Sequence, residues 1–288
     1  MEIAWLGDPV AHEPALVGGK AASLSRLAAA HRVPRGFALT SKALGLAAPD
    51  LARGEVPAGL HAQIDAAYES LGRPPVAVRS SAVDEDGDAH SFAGQHETFL
   101  NIRGTDAIAE AVVLCFASAF TQRALDYRLH VGLQVEHIGL AVLIQELVPA
   151  DVSAVVFSAN PVDGRLDEIV INASYGLGES IVGGTTTPDT VVVGKADLRI
   201  RTRTIGEKRL MTVLAPGGTK ELETPALLRT LPCLTDDQAV EMAELACRLE
   251  EAMDAPVDVE CAIHKSLLYL LQARPITTLR PGNGSGRS

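Results

Sequence analysis

Aromatic side chains make up only 4% of the 288 residues. The chain therefore offers little surface for stacking the bases of single-stranded nucleic acid, and its core must rest on Leu, Val, Ile and Ala. It also lacks an excess of positive charge. Against 36 Asp and Glu stand 25 Lys and Arg, a net charge of −11, the wrong sign for holding a nucleic-acid backbone over a broad face. Any phosphate it binds must sit in a local basic pocket. The cysteines Cys115, Cys233, Cys247 and Cys261 form no CxxC pair, which argues against a zinc site and more strongly against a disulfide framework. They read as reduced, mostly buried thiols. No run approaches the ~20 apolar residues of a membrane span. The opening MEIAWLGDP has no basic segment ahead of an apolar one. The expected location is cytoplasmic, with neither membrane nor nucleic acid as a partner.

What is present is the balance of a globular protein, 47% hydrophobic and 21% charged, long enough for one large domain or two packed lobes. Helices are expected over Gly18–His31, Gly59–Leu71, Thr105–His130 (two helices, or one that bends) and Ala239–Met253. Strands are expected at Phe37–Thr40, Pro75–Arg79, His96–Ile102, Leu140–Leu147, Ser153–Phe157, Glu168–Ala173, Thr190–Gly194 and Leu198–Thr204. A hairpin pairs Val257–Ile263 with Leu267–Leu271 about a turn near His264–Ser266. The texture shifts from α/β to strand-rich near Gly139–Leu147. This places one lobe at 1–140, a second at 141–280, and a tail or linker at 281–288.

Several segments can carry chemistry. Gly18-Gly19-Lys20 sets a lysine at a helix start, where free N–H groups and the dipole attract anions; the plainer reading is a turn and a solvated lysine. It is not a Walker A loop, because the first glycine is missing and Ala21 stands in place of Ser or Thr. Arg79-Ser80-Ser81, at the end of a buried strand, suits a phosphate clamp. Equally, Arg79 can pair with Asp84, Glu85, Asp86 or Asp88. The small residues around Gly94, up to Thr98, let a backbone close over a ligand or simply form a turn, with His90 and His96 exposed rather than catalytic. Gln145-Glu146 either reads an adenine edge or marks a strand leaving the core. Gly176-Leu177-Gly178-Glu179 is not a full GxGxxG and reads as a flexible loop at a cleft mouth.

The most informative segment is the last hairpin. Asp258 and Glu260 are i, i+2 on one strand and so share a face; Gln272 and Arg274 repeat the spacing on the next. Two carboxylates on one face of an apolar hairpin are costly unless they bind a cation, and Mg²⁺ with ATP phosphates suits them. A salt-bridged hairpin face is the other reading.

Taken in order, GGKAASLSRL, VAVRSSAVDED…SFAGQHETFLNI, IQELVPADVSAVVFSANP, INASYGLGESIVGG…TPD and PVDVECAI…LYLLQARPIT resemble the N-terminal ATP-binding domain of the phosphoenolpyruvate synthase, pyruvate phosphate dikinase and rifampicin phosphotransferase family. The resemblance runs from about Gly18 to Thr277. It implies an α/β (α+β) ATP-grasp fold of two lobes with ATP in the cleft between them. Lys20, Arg79 and Arg274 would act on the phosphates as catalytic residues. Gly94 and Thr98 would line the phosphate loop, and Gln145 with Glu146 would hold the adenine. Asp258, Glu260 and Gln272 would hold Mg²⁺. It further implies phosphorylation of a histidine on a swivelling domain, with AMP released. None of the eight histidines here sits in such a motif, so the acceptor is expected on a separate domain or protein, the chain being a fragment or one part of a split enzyme. A non-catalytic ATP-binding module and a kinase acting directly on a small molecule stay open.

Overall fold

The computed structural model describes residues 2–82, 98–121 and 139–276. The chain divides into two compact units. One holds the residues up to Leu147 with Ala215–Thr219; the other holds Val148–Leu214 and the chain from Lys220 on.

The first unit runs β1 (Ile3–Trp5), α1 (Pro14–Leu27), β2 (Gly36–Leu39), α2 (Ser41–Leu51), α3 (Ala58–Leu71), β3 (Val76–Ala82), β4 (Thr98–Ile102), α4 (Thr105–Ser118) and β5 (Leu140–Glu146). Its strands form one antiparallel sheet in the order β1-β2-β5-β3-β4. Leu140, Val142 and Ile144 alternate with Ala141 and Leu143, and all five are buried, so β5 is covered on both faces. Leu44 of α2, Ile64 and Tyr68 of α3, and Ile108 and Val112 of α4 join Phe37, Val78 and Ile144 in one core. α1 packs against β3 and β5.

Three local expectations need correction in this unit. The helix expected at Gly18–His31 spans Pro14–Leu27 and breaks at Gly18, where φ is 77°. A proline in the first turn loses no hydrogen bond, so the helix starts earlier than its apolar stripe suggests. β3 does not stop at Arg79: Ser80 and Ser81 continue it, paired with Val142 and Ala141 and fully buried. Their hydroxyls ended the apolar run before the strand ended. Helix α2 was not expected at all. Gly45 and Pro49 mask it in the sequence, yet Leu44, Ala47 and Leu51 form its buried stripe, and Thr40 caps it by accepting from the Ala43 N–H at 3.2 Å.

The second unit is a six-stranded antiparallel sheet. Its strands are β6 (Val152–Phe157), β7 (Glu168–Tyr175), β8 (Asp189–Gly194), β9 (Ile200–Thr204), β12 (Val257–His264) and β13 (Leu267–Pro275), in the order β13-β12-β6-β7-β8-β9. Between β9 and β12 come a two-stranded ribbon, β10 (Leu210–Ala215) and β11 (Gly218–Glu223), and helix α5 (Asp236–Met253). On α5, Ala239, Met242, Ala243, Ala246 and Leu249 are buried at helical spacing. They cover the sheet face that carries alternate residues such as Val156, Ile171, Val191 and Val259. The mixed α/β class with antiparallel sheets matches the expected fold class.

The ribbon β10–β11 was not expected, because Leu210–Glu223 mixes charge and glycine without clean alternation. Its turn, Ala215–Thr219, belongs to the first unit, where Asn101, at φ 60°, donates from Nδ2 to the carbonyls of Ala215 and Gly218 at 2.7 and 2.9 Å. The tail at 281–288 and the extension of helix 105–130 beyond Thr121 lie outside the described residues.

Candidate functional site

The structure gathers the expected site residues into two groups, one in each unit. In the first unit, Lys20 lies just past the Gly18 break, 6% exposed. Its Nζ donates to the Ser80 carbonyl at 2.9 Å, and the Ala21 N–H donates to Ser81 Oγ at 3.2 Å. The glycine makes this approach feasible, since a Cβ at Gly18 would sit 2.1 Å from the Ser81 carbonyl oxygen. Lys20 is thereby set beside the strand that carries Arg79. Arg79 pairs with Leu143 on one side and with Thr98 on the other. Residues directly opposite in an antiparallel pair share a face, so the Thr98 hydroxyl and the Arg79 guanidinium project together. Arg79 and Thr98 thus share a face of the sheet, and Lys20 reaches the same strand one residue on, at the Ser80 carbonyl. Gly94, His90 and His96 lie outside the described residues.

Gln145 and Glu146 end β5. Gln145 is 2% exposed, and its Nε2 donates to the Pro34 carbonyl at 3.0 Å. Its amide thus ties β5 to the loop before β2. Glu146 pairs with Arg35, Nη2 to Oε1 at 2.5 Å.

In the second unit the final hairpin has the register expected of its face: Asp258 opposes Arg274 and Glu260 opposes Gln272, with a bulge just after Glu260. The turn is made by Lys265 and Ser266, both left-handed, at φ 49° and 63°, which suits a tight two-residue connection. Arg274 grips one oxygen of Asp258, Nε and Nη2 reaching Oδ2 at 2.9 and 2.7 Å. The other oxygen, Oδ1, is buried and has no hydrogen-bond partner among the described residues. Burial holds the Asp258 carboxyl above its ordinary range; Arg274 opposes that shift and the Glu260 charge adds to it.

A buried carboxylate oxygen with no donor is an expense that a cation removes. Among the described residues no cluster of three or more His, Cys, Asp or Glu is placed to hold a metal. Two carboxylates and the Gln272 amide oxygen are a smaller set. That set fits Mg²⁺, which takes few protein ligands and completes its shell with phosphate and water.

The loop at Gly176 is pinned, against the expectation of a flexible segment. The Gly176 N–H donates to the Asp151 carbonyl at 3.0 Å and the Leu177 N–H to the Thr212 carbonyl at 2.9 Å. Gly176 has φ 79°, and a Cβ there would meet the Thr212 oxygen at 2.3 Å. A feature missed by sequence reasoning lies nearby: Asp189 and Lys208, 1% and 0% exposed, form a buried ion pair. Only a lysine in a stretch with no amphipathic pattern hinted at it. The four cysteines are free thiols, and burial pushes Cys261 up to about 12, far from the reactive thiolate range. No helix of the described residues is long and apolar enough to cross a membrane.

The architecture is mixed α/β with antiparallel sheets, with Lys20 and Arg79 in the first unit and the carboxylate–guanidinium hairpin in the second. The chain belongs to the pyruvate phosphate dikinase AMP/ATP-binding domain family, whose model matches residues 46–286. Lys20 precedes that stretch, but relatives align beyond it. A probable phosphoenolpyruvate synthase of Methanocaldococcus jannaschii is 36% identical over 320 residues, covering 97% of this chain and 27% of that protein. The prodigiosin synthesizing transferase PigC of Serratia marcescens is 38% identical over 287 residues, covering 92% of this chain and 32% of PigC. The Bacillus subtilis phosphotransferase YvkC is 42% identical over 204 residues, 71% of this chain and 24% of YvkC. The chain thus spans a third or less of the length of these relatives.

Proposed function

We propose that this chain is the ATP-binding part of a dikinase-type phosphotransferase. It takes ATP with Mg²⁺ and passes the β- and γ-phosphoryl groups to a histidine on a separate swivelling domain or partner; AMP leaves as the α–β bond breaks, and water then takes the γ-phosphoryl group as inorganic phosphate, so one phosphoryl group stays on the histidine. The reaction is cytoplasmic in this reading. The observation that carries it is the hairpin: Asp258 Oδ1 is buried and without a partner among the described residues, next to a second carboxylate, an amide and a guanidinium on the same face. Family membership supports the nucleotide as ATP.

With the nucleophilic histidine supplied from outside, what this chain's residues contribute to phosphoryl transfer is positioning and neutralisation of charge. Lys20 and Arg79 are set to bind phosphate oxygens and draw charge from them, and Thr98 offers a hydroxyl beside Arg79. Arg274, already oriented by Asp258, is set to hold the polyphosphate chain. Asp258, Glu260 and the Gln272 amide oxygen would hold Mg²⁺, which when bound neutralises phosphate charge and orients the chain. Gly94 would complete the phosphate loop, and the end of β5 at Gln145 and Glu146 would meet the adenine. The Gln145 amide spends one of its two N–H groups on Pro34, so its second N–H and its amide oxygen are what it has left to offer a base.

The test is product analysis. The chain is mixed with a phosphohistidine swivelling domain of the family and with ATP and Mg²⁺. The expected products are AMP and an acid-labile phosphohistidine. ADP appearing with a phosphorylated small molecule would instead identify a direct kinase. Tight ATP binding without either product would identify a binding module.

A further inference from the structure

The second unit carries a cleft unrelated to the last hairpin, and its floor is unusually well fixed. Residues 205–209 connect β9 to β10. Asp189, at the start of β8, accepts from the Gly206 N–H at 2.9 Å and from the Lys208 ammonium through Oδ1, and from the Cys233 N–H at 2.8 Å through Oδ2. Lys208 Nζ also donates to the Gly206 carbonyl at 3.0 Å. Lys208 is fully buried and left-handed, φ 41°. Gly206 passes so close to Thr187 and Pro188 that a Cβ would lie 2.2 Å from the Pro188 carbonyl oxygen. A buried ion pair and a left-handed lysine are both costly; the four hydrogen bonds at Asp189 and Lys208 offset that cost and anchor this connection.

Above it opens a cleft of about 860 Å³, lined among others by Gly206, Glu207, Arg209, Glu223 and Arg229. Two arginines enter it from different elements, Arg209 from the fixed connection and Arg229 from the short helix Ala226–Arg229. Each has a glutamate partner that is itself exposed. Arg209 Nε meets Glu207 at 2.6 Å, with side chains 72% and 65% exposed, and Arg229 Nη2 meets Glu223 at 3.1 Å, 33% and 85% exposed. Arg229 Nε is additionally anchored on the Thr224 carbonyl at 2.7 Å. Exposed pairs of this kind contribute on the order of 0–1 kcal/mol. A ligand oxyanion that both guanidiniums can grip by parallel N–H donors competes well with them. β9, which leads into the cleft, is four strand spacings along the sheet from β12, about 19 Å at the usual spacing.

We propose that this cleft is a second ligand site, independent of the nucleotide, for a small oxyanion with two or more carboxylate or phosphate oxygens. Arg209 and Arg229 bind it by exchanging their glutamate partners for the ligand, and the Asp189–Lys208 pair keeps Arg209 in place.

Isothermal titration of the full chain with citrate and, separately, with inorganic phosphate at constant ionic strength tests this. Millimolar binding of at least one is expected, and the two arms show whether carboxylate or phosphate is preferred. Arg209→Ala/Arg229→Ala should weaken it about tenfold or more, with ATP affinity unchanged. Glu207→Gln/Glu223→Gln should tighten it, because it removes the competing carboxylates; loss of folding cannot mimic that gain. Arg274→Ala should leave it unchanged. No binding by wild type, binding indifferent to the arginine pair, or no gain in the glutamine variant would each overturn the proposal.

Discussion

At the residue scale, the two readings of the last hairpin separate at Glu260. Glu260→Gln keeps the shape and removes one charge. If Glu260 is a metal ligand, the variant melts as wild type does but loses most of the Mg²⁺ dependence of ATP affinity, along with turnover. If it serves only to balance the hairpin's charge, melting falls by about 1 kcal/mol or less and the Mg²⁺ response survives. Melting temperature and ATP affinity with and without Mg²⁺ distinguish these outcomes. Gly18 is the second decisive residue. Its φ of 77° and its contact with Ser81 leave no room for a methyl group. Gly18→Ala should cost about 3 kcal/mol by urea denaturation, from left-handed strain and overpacking together. It should also weaken ATP binding, because Lys20 sits two residues on. The sequence showed that a glycine pair precedes a lysine. That the first glycine is a break inside a helix, pressed onto a serine 63 positions away, depends on β3 reaching Ser81.

At the element scale, α3 and α4 are tied by a polar cluster. Asp65 Oδ1 accepts from Thr105 Oγ1 at 2.5 Å and from Arg73 Nη2 at 3.0 Å. The Thr105 hydroxyl, then Arg73, hold the Asp65 carboxyl below its ordinary range. A lowered folded value means that the stabilisation is present above the ordinary carboxylate pKa and is lost as pH falls through the folded one. Asp65→Asn should therefore be less stable than wild type at neutral pH, and the difference should vanish on acidification. Urea melts across pH check this, and the difference is small because the group is exposed. Helix α5 begins with a capping box: Thr235 Oγ1 accepts from the Gln238 N–H at 3.2 Å and the Thr235 N–H donates to Gln238 Oε1 at 3.0 Å. Thr235→Ala should cost about 1 kcal/mol in the same assay. This helix was expected only from Ala239, because its first turn, Asp236 and Asp237, is acidic and adds nothing to the apolar stripe, although it complements the helix dipole. Periodicity finds the buried face of an element; its ends are set by caps that lie outside that face.

At the scale of the whole molecule, ATP with Mg²⁺ should stabilise the chain by about 2.7 kcal/mol at a hundredfold excess over Kd. For a chain of 288 residues that corresponds to a rise in melting temperature of roughly 4–5 °C. Calorimetric scans with ATP, with ATP and Mg²⁺, and with ATP and a chelator check it. The increment should depend on the metal, since the hairpin carboxylates are otherwise left with their charge buried. A stabilisation identical with and without Mg²⁺ would remove the hairpin from the site.

The sequence by itself determined the strands of the second sheet, the pairing face of the last hairpin and the family, because each is written in local periodicity or in motifs of fixed order. Asp258 and Glu260 share a face because a strand repeats every two residues, and no tertiary contact is needed to know it. Other features were decided by tertiary structure alone. Arg79 and Thr98 became neighbours only when β4 paired with β3. Asp258 kept one oxygen for Arg274 and one without a partner among the described residues only once the hairpin was buried. Lys208 became a buried cation only because Asp189, 19 positions earlier, waits beneath it. A charged side chain reads as exposed in a sequence, and only the fold can supply the partner that lets it be buried.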